Sequence, residues 1–203
     1  MDEVLLGEAS VSILPCVRGL PSETRAVARA IESSHPEVVA LSLAPEEIEA
    51  LRSYAGGPAG AESVEEEVYM AGLSAWEEPI RPAPCFTEAV RIADARGLRL
   101  EALDMDEETF TDAYTAFVST MELLLQGRAE KRLARKKFHA RSPEEFVLEW
   151  DAEVNRMVGF ARLQREREAF MAKRLRQIAA NAHRVLAVIE VERAKGVLAA
   201  LRG

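Results

Sequence analysis

Apolar runs alternate with segments of helical periodicity along the first quarter of the chain. The run 11–17 is followed by a Pro-Ser helix start, and the helix-period segment after it ends at Pro36. A second apolar run, 38–43, leads into a helix that begins with a proline and two acids. Parallel strands need a crossover of this kind. The pattern therefore predicts a βαβ unit, within an α/β fold that has a mixed, mostly parallel sheet and flanking helices.

The remaining pattern adds strands to this sheet and a long helical region. A hairpin is possible over 3–17, a helix over 86–96 ends at Gly97, and strand patterns follow at 98–103 and 185–189. Between these last two strands, apolar residues recur at helical spacing from about 106 to 180, with interruptions expected at Gly127 and near Gly159. The chain of 203 residues is therefore predicted to form one α/β domain with a helical insert or arm at about 106–180.

Two stretches of the chain resemble the TraB/PrgY family, which is related to the Tiki proteases and to the ChaN/EreA-like group. The first is Pro15-Cys16-Val17-Arg18 followed by PEVVALSLAPEE, where the family has a strand ending in G-x-x-H and then P-[DE]-V-V-A-L leading to E-L-D-P-E. The second is the segment 166–193, where the family has E-R-[DN]-x-x-M, a V-V-A-V-V strand and G-x-G-H. The resemblance implies the same α/β fold.

The polar motif positions of that family carry different residues in this chain. Arginine replaces both family histidines, and the two glycines near the end become glutamates. Ser42 and Ala44 replace two family acids. The family's G-D-R-like turn keeps its aspartate, Asp104, but not its arginine, whereas Arg167 matches the arginine of E-R-[DN]. The positions that the resemblance assigns to the site are Cys16, Arg18, Ser42, Asp104, Arg167, Glu190, Glu192 and Arg193.

These replacements change the chemistry that the resemblance implies. The family histidines and acids are expected to gather around a metal or to polarise a water. Arginine has no lone pair to offer and stays charged, so Arg18 and Arg193 cannot be metal ligands. We therefore expect a pseudoenzyme, a non-catalytic binding or regulatory protein with an arginine-containing pocket at the former active site. The alternative is a metal-dependent hydrolase or protease with a rebuilt carboxylate site; a divalent metal is expected only there, and otherwise no cofactor.

The charge of the arginines must be balanced if they meet in one pocket. Glu190, Glu192 and Asp104 could do so within the chain, or a small anion such as a phosphate or carboxylate metabolite could bind. Cys16 could form a thiolate beside Arg18, but with no histidine predicted nearby as a base it is interpreted as a small buried side chain. The three histidines of the chain all fall outside the predicted carboxyl ends of strands: His35, His139 and His183.

Composition and charge limit the classes of partner that the chain is expected to bind. The net charge of −8 argues against a general nucleic-acid binder. The basic run 128–141 is interpreted as a solvated helix that pairs with acids of its own chain or of a partner subunit, with a phosphate or nucleic-acid contact as the alternative. The acidic cluster 62–67 is interpreted as a solvated helix face rather than a metal site.

Location and oligomeric state are predicted from the same patterns. Two cysteines are too few for a disulfide framework, and acids stand where a signal peptide has basic residues, so a cytoplasmic protein is expected. No run approaches the ~20 apolar residues of a membrane helix. The long apolar stripe of the helical region must pack on something, which predicts a homodimer.

Overall fold

A five-stranded mixed sheet forms the centre of the protein, seen in a computed structural model that describes residues 1–54 and 63–203. Its order is β1-β2-β5-β3-β4, and the last four of these strands are parallel, while β1 pairs antiparallel with β2 across a turn at Gly7. The strands are β1 (Asp2–Leu6), β2 (Ala9–Cys16), β3 (Val38–Leu41), β4 (Arg99–Ala102) and β5 (Arg184–Glu190). The predicted α/β class and the initial hairpin are confirmed.

Helices connect the parallel strands and begin where the sequence provides caps. Ser63, Asp106, Ser119 and Ser142 each accept a hydrogen bond from the backbone amide three residues further on. The helices are α1 (Glu23–Ser34), α2 (Pro45–Ser53), α3 (Val64–Leu73), α4 (Pro84–Arg96), α5 (Glu107–Phe117), α6 (Thr120–Leu133), α7 (Pro143–Val154), α8 (Val158–Ala179) and α9 (Val191–Arg202). The segment 54–60 has the glycine-rich composition that predicts a loop, but beyond Tyr54 it lies outside the described residues. Glu62 of the acidic cluster lies outside them too.

Of the two interruptions expected in the helical region, the one at Gly127 is wrong and the one near Gly159 is confirmed. Val118 is extended and ends α5, and Ser119 with Glu122 forms a capping box that starts α6. Gly127, where an interruption was expected, lies inside α6. The second break comes at Asn155 to Met157, which confirms the interruption expected near Gly159. In both cases a residue with extended backbone before the new helix, rather than a glycine, sets the boundary.

Both faces of the sheet are covered by helices, which explains the continuous apolar strands. On one face, Met171 and Leu175 of α8 and Val197 of α9 pack against Val185 and its neighbours. On the other face, side chains of α1, α2 and α4 pack against the opposite residues of β3 and β5. The side chains of β3 and, after Arg184, those of β5 are therefore buried.

A third apolar cluster lies past the carboxyl end of β2, between α3, α6 and α7. It contains Val17, Leu73, Tyr69, Phe146 and Trp150, all at most 8% exposed. The ring centroids of Tyr69 and Trp150 are 4.9 Å apart in an edge-to-face arrangement. This cluster forms a wall beside the strand ends. Among the described helices, none combines the length and the apolar character that crossing a membrane requires.

Candidate binding site at the carboxyl ends of the strands

The sheet topology brings four of the predicted site residues to one edge. Glu190 is the last residue of β5, Ser42 follows β3 directly, and Arg18 and Asp104 come two residues after β2 and β4. The backbone amide of Glu190 donates to Oγ of Ser42 at 3.1 Å, so the buried serine joins the ends of two neighbouring strands. Ligands of open α/β sheets are commonly found at this edge.

Arg18 is held by two glutamates and a tyrosine. Its Nε lies 3.2 Å from Oε1 of Glu190, and its Nη2 lies 3.4 Å from Oε1 of Glu192. Its guanidinium carbon is 5.3 Å from the ring centroid of Tyr69, whose hydroxyl donates to the carbonyl of Arg18 at 3.0 Å. Burial works against the charge, but Glu190 and Glu192 outweigh it and raise the pKa of Arg18 above its ordinary value. Arg18 is therefore a fixed cation whose charge is met within the chain.

Arg167 forms a second ion pair, with Asp104. Nε of Arg167 donates to both carboxylate oxygens of Asp104, at 3.1 and 3.3 Å, and Nη2 donates to the same group. The backbone amide of Met105 also donates to Asp104, at 2.8 Å. The lone pairs of Asp104 are thus directed at donors of the chain, and a metal could use them only by displacing Arg167.

Arg193 forms a third set of ion pairs with residues that the sequence did not single out. Its side chain is only 4% exposed, and its guanidinium donates to Asp151 of α7 and, at 3.0 Å, to Glu168 of α8. Among the residues that the structure describes, Arg193 shares no ion-pair partner with Arg18 or with Arg167. Glu190 and Glu192 thus pair with Arg18, and Asp104 pairs with Arg167, but the three arginines do not share one set of acids.

Cys16 is enclosed in the core, and its surroundings keep its thiol neutral. Its side chain is 1% exposed, and burial, followed by the hydrogen bond with Cys85, raises the pKa of the Cys16 thiol well above its ordinary value. A thiol held in its neutral form is a poor nucleophile. The interpretation of Cys16 as a small buried side chain is confirmed.

Glu192 is a buried acid of the site whose carboxylate has an incomplete set of hydrogen bonds. Its side chain is 4% exposed, and its Oε2 has no hydrogen-bond partner among the described residues. Burial, and then the neighbouring Glu190, raise the pKa of Glu192 from an ordinary 4.5 to about 7, although Arg18 opposes this. The group therefore favours its neutral form inside the fold.

The raised pKa predicts a pH dependence of stability. The folded chain holds the Glu192 proton more tightly than the unfolded chain, so this contribution is complete below the ordinary pKa of 4.5 and is lost as the pH rises through about 7. We expect up to about 3 kcal/mol of unfolding free energy to be lost by this route between pH 5 and pH 8. In Glu192→Gln this loss should be absent, so the variant should be the more stable protein at pH 8.

Denaturant unfolding of both proteins at four pH values between 5 and 8 checks this expectation. The stability curves should lie close together at pH 5 and separate steadily above it. Glu166→Gln, an exposed acid of α8, is the matched control and should follow the wild type. Parallel curves for wild type and Glu192→Gln would show that Glu192 does not titrate in this range.

A cavity of about 730 Å³ opens beside Arg18. Its walls come from the strand ends, from α2, α3 and α7, and from the segment 80–86. The charged residues in its lining are Arg18, Glu47, Glu65, Glu66, Arg81 and Glu190, and its aromatic residues are Tyr69, Phe86 and Trp150. A smaller cavity of about 370 Å³ lies over Asp104 and Arg167 and shares Glu47 with the first. Sequence reasoning missed the aromatic wall, Glu47 and Arg81.

The three histidines lie away from the carboxyl ends of the strands. His35 and His183 lie at the amino ends of β3 and β5, and His139 lies in the loop before α7. Within residues 1–54 and 63–203, no three or more His, Cys, Asp or Glu side chains are grouped so that they could hold a metal ion.

The basic run pairs with acids of its own chain, as one of its interpretations predicted. Arg132 and Lys136 each contact Glu153 of α7, at 2.6 and 3.0 Å, and Lys136 also reaches Glu149. These pairs join α6 and the loop after it to α7. Part of the basic run is therefore engaged in ion pairs within the chain.

Comparison with known proteins adds no relationship. No family model matches the chain, and no curated protein sequence is significantly similar to it.

Proposed function

We propose that this chain is a non-catalytic binding protein whose ligand occupies the cavity beside Arg18, at the position where the TraB-like pattern has its active site. The observation that carries the proposal is the cavity itself. At about 730 Å³ it falls within the size range of small-molecule sites, and it lies at the carboxyl ends of parallel strands. Its lining combines apolar and aromatic side chains with a few charged groups, as ligand pockets commonly do.

The state of the polar groups supports binding rather than catalysis. A rebuilt hydrolase would need Asp104, Glu190 and Glu192 to act on a metal or a water. Asp104 is engaged by Arg167, and both glutamates face Arg18. Removing these partners would leave charges unpaired in a largely buried place, at a cost of several kcal/mol. The donor set therefore favours a binding role over the hydrolase alternative.

A thermal-shift screen of small amines, alcohols, carboxylates and phosphates tests the proposal. A true ligand at ten times its Kd should stabilise the fold by about 1.4 kcal/mol, or roughly 3–6 °C in Tm. Ala50→Trp places an indole on the cavity wall and should abolish the shift. Ala199→Trp, at an exposed position of α9, is the matched control and should keep it. A shift unchanged in Ala50→Trp, or no shift with any compound, would contradict the proposal.

We also propose that the protein is a homodimer formed through its helical region. Met121 and Leu124 of α6 are 64% and 73% exposed, and Val158 at the start of α8 is 73% exposed. The backbone amide of Gly159 donates to Glu122 at 2.6 Å, so the first turns of these two helices lie side by side. Neighbouring exposed apolar side chains of this kind are typical of protein interfaces.

Light scattering at about 10 µM measures the oligomeric state directly. We expect a dimer mass for the wild type and a monomer mass for the double variant Met121→Glu, Leu124→Glu, because two carboxylates would be buried in the interface. Leu5→Glu, on β1 and 73% exposed, is the control and should remain dimeric. A monomeric wild type would refute the dimer.

A further inference from the structure

We propose that the ligand of the cavity beside Arg18 is an organic cation, an amine or guanidinium group joined to an apolar body. This inference rests on the binding function proposed above and assigns the chemical class of the ligand. It follows from the charge left over in the lining, from the aromatic wall beside that charge, and from the apolar remainder of the cavity.

The charged residues of the lining leave an excess of acid. Four glutamates face two arginines. Arg81 pairs with Glu66 at 3.0 Å and Arg18 pairs with Glu190 at 3.2 Å. Neither Glu47 nor Glu65 has a cation within ion-pair distance among the described residues. A ligand that brings a positive charge would supply the missing partner, whereas an anion would add to the repulsion.

Glu65 lies beside the aromatic wall of the cavity. The indole Nε1 of Trp150 donates to the carbonyl of Glu65 at 3.1 Å, which fixes the ring next to this residue. Burial raises the pKa of the Glu65 carboxyl, with a further contribution from Glu130. A cation bound here would therefore meet a partly desolvated carboxylate together with an aromatic ring, and both attract positive charge.

The cavity already shows this mode of recognition within the chain. The guanidinium of Arg18 lies over Tyr69 and is also in ion-pair contact with Glu190 and Glu192. Trp150 is in edge-to-face contact with the same tyrosine, so the wall continues past Arg18 towards Glu65. Apart from Ser63, the rest of the lining is apolar and includes Leu51, Met70, Ile80 and Phe86, which suits a hydrocarbon or aromatic body.

Three matched probes separate charge from shape in a calorimetric titration: tryptamine, tryptophol and indole-3-propionate. They share an indole and differ in carrying an ammonium, a hydroxyl or a carboxylate. We expect tryptamine to bind at least tenfold more tightly than tryptophol, and indole-3-propionate to bind most weakly. Glu65→Gln should weaken tryptamine binding at least fivefold and leave tryptophol binding unchanged. Glu67→Gln, an exposed neighbour on α3, should change neither.

The other outcomes overturn the inference and are distinct from failure of the binding function. Indole-3-propionate binding as tightly as tryptamine, with loss in Arg18→Ala, would show an anion site and leave the proposed function standing. Equal binding of tryptamine and tryptophol, or tryptamine binding that is insensitive to Glu65→Gln, would show that charge is not recognised. No binding by any probe, while the thermal-shift screen finds other compounds that Ala50→Trp blocks, would reject only the cation.

Discussion

Arg193→Met should lower the free energy of unfolding by about 3–5 kcal/mol, which is among the largest effects expected from a single change in this protein. The guanidinium of Arg193 is buried and joins α9 to Asp151 of α7 and Glu168 of α8. Its removal leaves two carboxylates close together without their cation. In a chain of this size the loss corresponds to a fall of roughly 6–20 °C in Tm.

Denaturant unfolding at pH 7 measures the effect of Arg193→Met. Lys195→Met is the control, since Lys195 lies on the same helix, is exposed and has no ion pair with a described residue. It should change stability by less than about 0.5 kcal/mol. Should Arg193→Met and Lys195→Met prove equally mild, the buried ion pairs would not hold α7, α8 and α9 together.

Gly72→Ala should destabilise the protein by roughly 1–3 kcal/mol or more, against the usual preference for alanine in a helix. A Cβ at this position of α3 would lie 2.0 Å from Cζ of Phe146. Phe146 is 1% exposed and is surrounded by the rings of Tyr69, Trp76 and Phe138, so it has little room to move. The change would push α3 away from α7 and disturb the wall of the cavity.

Gly127→Ala is the matched control for Gly72→Ala. Gly127 is also helical, but a Cβ there would meet no atom within 4 Å. We expect this variant to be more stable than the wild type by about 0.5–1 kcal/mol, because the helix gains a better helix former. Opposite signs for the two glycines in the same unfolding assay would confirm the close packing of α3 on α7, and equal signs would contradict it.

The fold could be read from the sequence because local signals agreed with one another. The apolar strands, the crossover helix between β2 and β3 and the capping residues Asp106 and Ser142 each set an element without reference to distant residues. Because these strands are parallel, their carboxyl ends lie on the same side of the sheet, whatever their order. For this reason Arg18, Ser42, Asp104 and Glu190 could be expected at one edge.

The side chains that complete the site could not be predicted from the sequence in the same way. Asp151 and Glu168 reach Arg193 from 42 and 25 residues away, and helical periodicity does not say which acids face a particular arginine. The sequence pattern predicts Tyr69 and Trp150 as core residues, and both are indeed buried in the core. Their role as a cavity wall depends on how α3 and α7 pack together, and that packing is set by contacts such as Gly72 with Phe146.

We propose that arginines and acids at the strand ends form ion pairs beside a ligand cavity and do not form a metal centre. Melting temperature in the presence of Mn²⁺, Co²⁺ or Zn²⁺, with excess EDTA as the metal-free reference, tests it most directly. We predict no metal-specific rise in Tm, because Asp104, Glu190 and Glu192 are held by Arg167 and Arg18. A rise with one metal that EDTA removes and that Asp104→Asn or Glu190→Gln abolishes would contradict the claim and favour a metal-dependent hydrolase.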